Sequence, residues 1–395
     1  MTTYRSLFAN AEFRALFVAR LLLMVSAVMG TFTLGVVMFD QTHSPFLTAL
    51  VMFGGPLVQL VTSRYLLASS DLLRPRTAMM LTGVVAACVD SIQVIPSLPW
   101  WLRFVLVAVM HAALAATSGT TVALLSDIVP KEAFVLGRAT LNMTVSTVQV
   151  VGNALGAVLL LWMRPTNMFL ISAGAAVVAV VGIRIGLRDY PPRAAGAVVA
   201  RTHEINARLL GSPRIRAILL MAWVPNGIIV GCEAVYIPYA HADAGYLFST
   251  TAAGMLLGDV VIGRFVSETT RQHLLLPLRM LLAAPFLVFF LYPPIVLAAL
   301  LGGLAAIGYA ASLPLQERLV AAIDPDTKGQ AFGLLSTGIM IGQAAGALVI
   351  GAIADIVGAG TAMTIAALLA IVTSLMLMPA LRETVPDDDE AVALA

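Results

Sequence analysis

Glu233, Asp259 and Asp90 stand inside long apolar runs of a 395-residue chain, as do His111 and Arg20. Ionisable groups in hydrocarbon are costly and usually face a bundle interior or a wet cavity, so each is a functional candidate by default. Asp259, near the middle of its run, and Asp90, about two-thirds along its own, lie deep enough for a free carboxylate to take a proton. Reversible protonation is one use of either; a buried structural pair with Arg20 or Arg264 is the other. Glu233 lies about 8 Å from the outer boundary of its run by helix rise, either as a proton- or cation-sensitive acid or as one reaching water at the mouth. His111 titrates near neutrality where wet and otherwise sits as a satisfied neutral ring. Arg20, about 9 Å inside its run, is within reach of the interface by snorkelling. Trp223, Asn226, Gln149 and Asn153 add aromatic and polar groups that suit contact with a small molecule.

The elements that carry these residues follow from composition. At 60% hydrophobic and 11% charged residues, with mean hydropathy +0.95, the chain is too apolar for a soluble domain, which is about one-quarter charged. Most of its surface must face lipid. Twelve runs have about the 20 residues a helix needs to cross a bilayer: 15–38, 45–68, 77–96, 102–126, 134–162, 167–187, 216–238, 246–267, 274–292, 294–315, 329–353 and 359–380. With the N-terminus inside, all of the 23 Lys and Arg except Arg20, Arg103 and Arg164 fall on the cytoplasmic side, Arg279 among them. This alternation is what positive-inside topology requires, and it predicts an even number of spans with both termini cytoplasmic.

Two short echoes divide the chain. Residues 151–158, VGNALGAV, read against 341–348, IGQAAGAL, and 8–16, FANAEFRAL, against 210–218, LGSPRIRAI, at nearly the same offset. Two homologous halves are implied. The predicted organisation is a six-helix bundle over 1–187, a linker with a short amphipathic helix over 188–213, a second six-helix bundle over 214–381 and an acidic tail over 382–395. Gly152 and Gly156, like Gly342 and Gly346, stand four apart on one helix face, where they permit close packing and sliding between membrane helices. Gly254, Gly258 and Gly263 read the same way.

A net charge of +2 carries no partner information, and topology accounts for the basic loops, so no nucleic-acid partner is expected. Cys88 and Cys232 fall inside spans and behave as small hydrophobes. No cofactor, metal centre or enzyme activity is expected, since the chain has no phosphate-binding loop, zinc motif or nucleophile elbow.

Twelve spans in two halves with a long central connection resemble the major facilitator superfamily. The stretch Ser6-Leu7-Phe8-x-Asn10-x-x-Phe13-Arg14-x-Leu16-x-x-x-Arg20 is similar to the start of the first helix in the branch holding macrolide and enterobactin exporters. Residues 123–132, ALLSDIVPKE, resemble that branch's turn after the fourth helix, and 324–329, DPDTKG, its counterpart before the eleventh. The resemblance implies an all-α integral membrane fold and rocker-switch alternating access around a midplane site. It makes Asp71 and Arg76, the matching residues of a degenerate loop motif after the second helix, candidates for a conformational latch. A first-helix carboxylate of that branch falls near Ala27, where this chain has none.

The expected function is secondary transport, with proton-coupled antiport of a lipophilic or amphipathic small molecule out of the cell. Sparse intramembrane charge favours apolar or weakly charged cargo over sugar phosphates or dicarboxylates. The expected location is the plasma membrane, as a multi-pass monomer, and the Arg-rich, Ala/Val/Leu-rich composition suggests a high-GC bacterium. An uptake permease of the same fold is the alternative, and a membrane receptor or lipid-handling enzyme the alternative of another class.

Overall fold

The computed structural model describes residues 4–59, 61–62, 74–116, 120–130, 133–134, 136–137, 140–141, 148, 152, 156, 158–159, 162–191, 206–323 and 328–382. Asp71, Gln149 and Asn153 lie outside the described residues, as do most of the fifth expected span, residues 192–205 of the linker and nearly all of the acidic tail.

The described residues are helical almost throughout. In the first half the helices are α1 (Tyr4–Ala9), α2 (Ala11–Thr42), α3 (Pro45–Phe53), α4 (Pro75–Gln93), α5 (Trp100–Ala116), α6 (Thr120–Ile128) and α7 (Pro165–Gly186). The second half has α8 (Pro213–Ala234), α9 (Tyr236–Ala240), α10 (Ala244–Phe265), α11 (Glu268–His273) and α12 (Leu275–Ala283), which runs into a 3-10 turn at Ala284–Leu291. It continues with α13 (Ile295–Ile307), a 3-10 turn at Gly308–Ala311, α14 (Ser312–Ala322), α15 (Lys328–Val357) and α16 (Ala359–Arg382). Among the described residues, seven helical stretches are long and apolar enough to cross a membrane, and Trp100–Leu114 and Leu275–Leu291 are shorter apolar helices. The break expected between the runs 274–292 and 294–315 is present at Pro293-Pro294: the 3-10 turn ends at Leu291, and Tyr292 takes the left-handed conformation at φ 50° before α13 begins.

The chain forms two compact units, Met1–Ala195 with Ala244–Ser249, and Gly196–Asp243 with Thr250–Ala395. Each has its own packing, and the two patterns match. In the first unit α2 and α4 both pack along α7, α4 also meets α5, and α2 meets α4. In the second unit α8 and α12 both pack along α16, α12 also meets α13, and α8 meets α12.

The sequence echoes fall on equivalent features of these patterns. Asn10 and Ser212, which align in one echo, are the N-caps of α2 and α8: Asn10 Oδ1 accepts from the Glu12 and Phe13 amides at 2.9 and 3.2 Å, and Ser212 caps Ile215, with Pro213 opening the helix. In the other echo, a Cβ at Gly152 would lie 2.9 Å from Val28 Cγ1 and one at Gly156 3.3 Å from Phe32 Cδ1, both on α2. A Cβ at Gly342 would lie 2.9 Å from the Trp223 carbonyl oxygen and one at Gly346 2.0 Å from that of Gly227, both on α8. Each aligned glycine pair therefore sets a close approach to the first long helix of its own unit. Gly254 and Gly258 do the same for α10 against α13, at the Gly303 and Ile307 carbonyls.

Two arginines are buried within their own units. Arg103 is 1% exposed: it donates to Gln93 O at 3.0 Å, Gln93 Oε1 at 2.9 Å and Ile95 O at 2.9 Å. It thereby satisfies the carbonyls left open where α4 ends. Arg279, counted among the cytoplasmic cations, is 4% exposed inside the second unit.

Candidate functional site

In the first unit Asp90 is held by hydroxyls from two other helices. Ser172 of α7 bonds to Asp90 Oδ2, and Ser26 of α2 donates to the same oxygen at 3.4 Å. Ser172 Oγ also lies 2.7 Å from the Ser26 carbonyl oxygen and 3.2 Å from Ser26 Oγ. Gly30 leaves the space for this carboxylate, because a Cβ there would stand 2.8 Å from Asp90 Oδ1. A cavity of about 50 Å³ opens beside it, lined by Ser26, Ala27, Gly30, Asp90, Gln93 and His111 among others. Two sequence candidates thus face one space. His111 Nδ1 lies 3.2 Å from Gln59 Nε2, and the imidazole rests directly on Gly55, where a Cβ would meet the ring at 2.0 Å. Ala27 lines this same cavity, and Asp90 reaches it from α4.

In the second unit Glu233, near the C-terminus of α8, accepts from Tyr309 Oη at 2.7 Å. Tyr309 comes from the 3-10 turn after α13. The preceding Gly308 lets that turn press onto α12, since a Cβ there would stand 2.5 Å from both the Leu278 carbonyl oxygen and the Leu282 amide nitrogen. Arg279 lies on this stretch of α12 and is 4% exposed. One turn beyond Glu233, Tyr236 shares a hydrogen bond with Thr251 at 3.1 Å, and Cys232 directs its sulfur to the Met363 carbonyl at 3.7 Å. Sequence reasoning missed Tyr309 and Arg279. A phenol in an apolar run carries no distinctive spacing, and the alternation of positive loops absorbed Arg279.

The remaining candidates are more dispersed. Asp259 is exposed on α10 and makes no hydrogen bond or ion pair among the described residues. Arg20 donates to Thr121 of α6 at 3.3 Å, and its Nε has no partner among the described residues. Trp223 gives its indole N–H to the Leu335 carbonyl at 3.0 Å and lays its ring over Gly338, so both handles are engaged within the α8–α15 contact. Asn226 follows Pro225 inside α8, is 8% exposed and makes no hydrogen bond among the described residues.

Arg76 reaches the end of α7, donating to the Leu187 carbonyl at 3.3 Å and lying 3.7 Å from Asp189, which also pairs with Arg74. Beside it, Glu12 accepts from the Arg188 amide at 2.8 Å and from Tyr190 Oη at 3.1 Å. Burial, reinforced by Glu12, pushes the Tyr190 phenol above its ordinary pKa, so it remains a donor at neutral pH. The second unit has its own network at the corresponding end: Arg271 pairs with Glu317 at 3.1 Å, and Gln272 joins Glu317 to Arg318 at 2.8 and 2.6 Å.

Residues 237–393, most of the second half, match the Major Facilitator Superfamily as a family. Solved structures match over nearly the whole chain. A mutant of the nucleoside transporter NupG superposes with a TM-score of 0.71 at 13% identity, over 93% of this chain and 99% of that one. The fold is that of the major facilitator transporters. A POT family transporter in complex with 5-aminolevulinic acid gives a TM-score of 0.64 at 12% identity, over 93% and 95% of the two chains. The human organic anion transporter MFSD10 gives 0.59 at 16%, over 93% and 99%. No curated protein matches the chain by sequence.

Proposed function

We propose that this chain is a secondary transporter that moves a lipophilic or amphipathic small molecule out of the cell by alternating access, in exchange for protons. The transport reading rests on the major facilitator fold over nearly the whole chain together with ionisable groups inside its apolar helices. Asp90 is the coupling acid. The observation that carries this assignment is the cavity shared by Asp90, His111 and Ala27: the acid that the resembled exporters place on the first helix is supplied to the same space from α4. Two serine hydroxyls stabilise Asp90 when ionised and can accept from it when protonated, so either state is accommodated without moving a helix. Asn226 supplies a polar contact to the cargo, while Glu233 with Tyr309 forms a second titratable pair. Arg76 with Asp189 steadies one end of the first unit.

The test is efflux of a panel of hydrophobic dyes and antibiotics from cells expressing wild type, Asp90→Asn, Glu233→Gln or Asp259→Asn at equal membrane levels, with and without an uncoupler. Uncoupler-sensitive efflux that falls at least ~10-fold in Asp90→Asn is the expected result. Accumulation instead of efflux reverses the direction, and efflux indifferent to all three substitutions removes the carboxylates from the coupling.

A further inference from the structure

The oxygen cluster around Asp90 holds more acceptors than protons. Asp90 Oδ1 and Oδ2, Ser26 Oγ, the Ser26 carbonyl oxygen and Ser172 Oγ gather from α4, α2 and α7, and the two hydroxyls bring one proton each. Ser172 Oγ meets both Asp90 Oδ2 and, at 2.7 Å, the Ser26 carbonyl oxygen, yet its single proton serves only one of them. With Asp90 ionised, the other contact sets lone pair against lone pair. Both serines reach Oδ2, while Oδ1 accepts no hydrogen bond among the described residues. The cluster calls for a positive partner, either a proton on the acid or a small cation among the oxygens.

Size and charge select among cations. Ser26 Oγ stands 3.2 Å from Ser172 Oγ and 3.4 Å from Asp90 Oδ2. Oxygens bound at about 2.3–2.6 Å, as around Ca²⁺ and the similarly sized Na⁺, stand about 3.3–3.7 Å apart at right angles and closer at narrower angles. The larger K⁺ spreads its ligands further. One carboxylate balances one monovalent charge, so a sodium ion loads the site at zero net charge, whereas a divalent ion leaves a surplus where charge is costly. The cavity beside Asp90 measures about 50 Å³, room for a few water molecules. Pockets for drug-sized ligands are about 300–1,000 Å³, so this space suits an ion rather than the cargo. Gly30 keeps it open, since a Cβ there would stand 2.8 Å from Asp90 Oδ1 and 3.2 Å from Ser172 Oγ.

The neighbouring charged groups do not compete for this position. His111 is the other titratable group on the cavity wall, and its Nδ1 faces the Gln59 amide nitrogen, a donor, so the ring is neutral. Arg103 stands behind Gln93, its donors spent on Gln93 and the carbonyls of residues 95 and 96. From α2 and α7 the cavity receives Ser26, Ala27, Gly30, Thr31, Leu34 and Phe169, none of them charged.

We propose that Asp90, Ser26 and Ser172 form a sodium site, in which Na⁺ and a proton compete for one carboxylate. This rests on the reading of Asp90 as the coupling acid and widens it, because the ion exchanged for cargo is then whichever of the two occupies Asp90.

The experiment is equilibrium binding of radiolabelled sodium to the full chain in detergent at alkaline pH. Saturable binding is expected, displaced by unlabelled Na⁺ and Li⁺ and at least ~10-fold less well by K⁺. Asp90→Asn should abolish it, Ser26→Ala and Ser172→Ala should each weaken it at least ~5-fold, and Glu268→Gln, at an exposed acid on α11, should leave it unchanged. Lowering the pH should raise the apparent Kd by up to ~10-fold per unit as one proton displaces one ion, and this dependence should persist in His111→Gln. A purely structural carboxylate produces neither the ion selectivity nor the proton competition. If Asp90→Asn fails to fold, the two serine variants and the K⁺ competition still decide. No saturable binding by folded wild type, equal displacement by K⁺, or binding indifferent to both serine substitutions overturns the proposal. Uncoupler-sensitive efflux that is lost in Asp90→Asn, with no sodium binding by wild type, removes the sodium site and leaves the proton-coupled reading standing. Sodium binding that needs Asp90, with efflux indifferent to Asp90→Asn, upholds the site and removes Asp90 from the coupling.

Discussion

The two units solve the same packing problem by different contacts. In the first, Gly152 and Gly156 receive the side chains of Val28 and Phe32; in the second, Gly346 lies against the backbone of Gly227, and Gly342 against that of Trp223. A side chain can rotate away from an added methyl, whereas two backbones in contact cannot separate without moving whole helices. The acids differ in the same direction. Asp90 has two hydroxyl neighbours on two helices, whereas Glu233 has one phenol, set in place by a glycine-mediated approach of α12 and the 3-10 turn. The second unit is thus the less forgiving of the two, and its site depends on fewer contacts.

The sharpest way to break this comparison is to add the same methyl group to each unit. Gly346→Ala should cost about 3 kcal/mol or more and depress folded yield, since its Cβ would meet a carbonyl oxygen at 2.0 Å. Gly156→Ala should cost about 1 kcal/mol or less, because the Phe32 ring can shift. Apparent melting temperatures of the two variants in detergent provide the measurement; equal losses would show that the units are equally tight.

A smaller difference is expected at the acids. Tyr309→Phe removes the donor that Glu233 has among the described residues and should destabilise by about 1–3 kcal/mol. Ser172→Ala leaves Ser26 within 3.4 Å of Asp90 and should cost about 1 kcal/mol. Thermal unfolding of both at one pH decides, and a larger loss in Ser172→Ala would reverse the ranking.

The smallest effect belongs to the helix ends. Arg76 and Asp189 are partly exposed and 3.7 Å apart, and Arg74 shares the acid, so Arg76→Ala should change stability by about 0–1 kcal/mol. A latch role would appear in transport rate instead: slowed or leaky flux at unchanged melting temperature would support it, and unchanged flux would reduce the pair to a surface contact.

Much of the scaffold was legible in the sequence because lipid makes a simple demand. Every backbone polar group in hydrocarbon must be bonded internally, which forces helices, and their lengths are written as apolar runs. The helix starts were not read from the apolar runs, which begin at 15 and 216: α2 and α8 start at Ala11 and Pro213, capped by Asn10 and Ser212. The aligned glycines were legible as sites of close approach, which has few residue solutions. Single titratable groups in apolar runs named Asp90, Glu233 and His111, because charge in hydrocarbon is rarely incidental.

Partnership was decided by the tertiary structure alone. Which hydroxyls reach Asp90 depends on how α2, α4 and α7 cross, and Ser26 and Ser172 stand 146 positions apart. Arg279 looked like one more cytoplasmic cation, whereas it is 4% exposed and makes no hydrogen bond or ion pair among the described residues. Tyr309 stands 76 positions from the Glu233 it bonds, a pairing that no local spacing encodes. Apolar period and length are local quantities that a chain carries along its own axis; the contacts of a buried charge are set by helix crossings, where a few ångströms separate an ion pair from a lone charge.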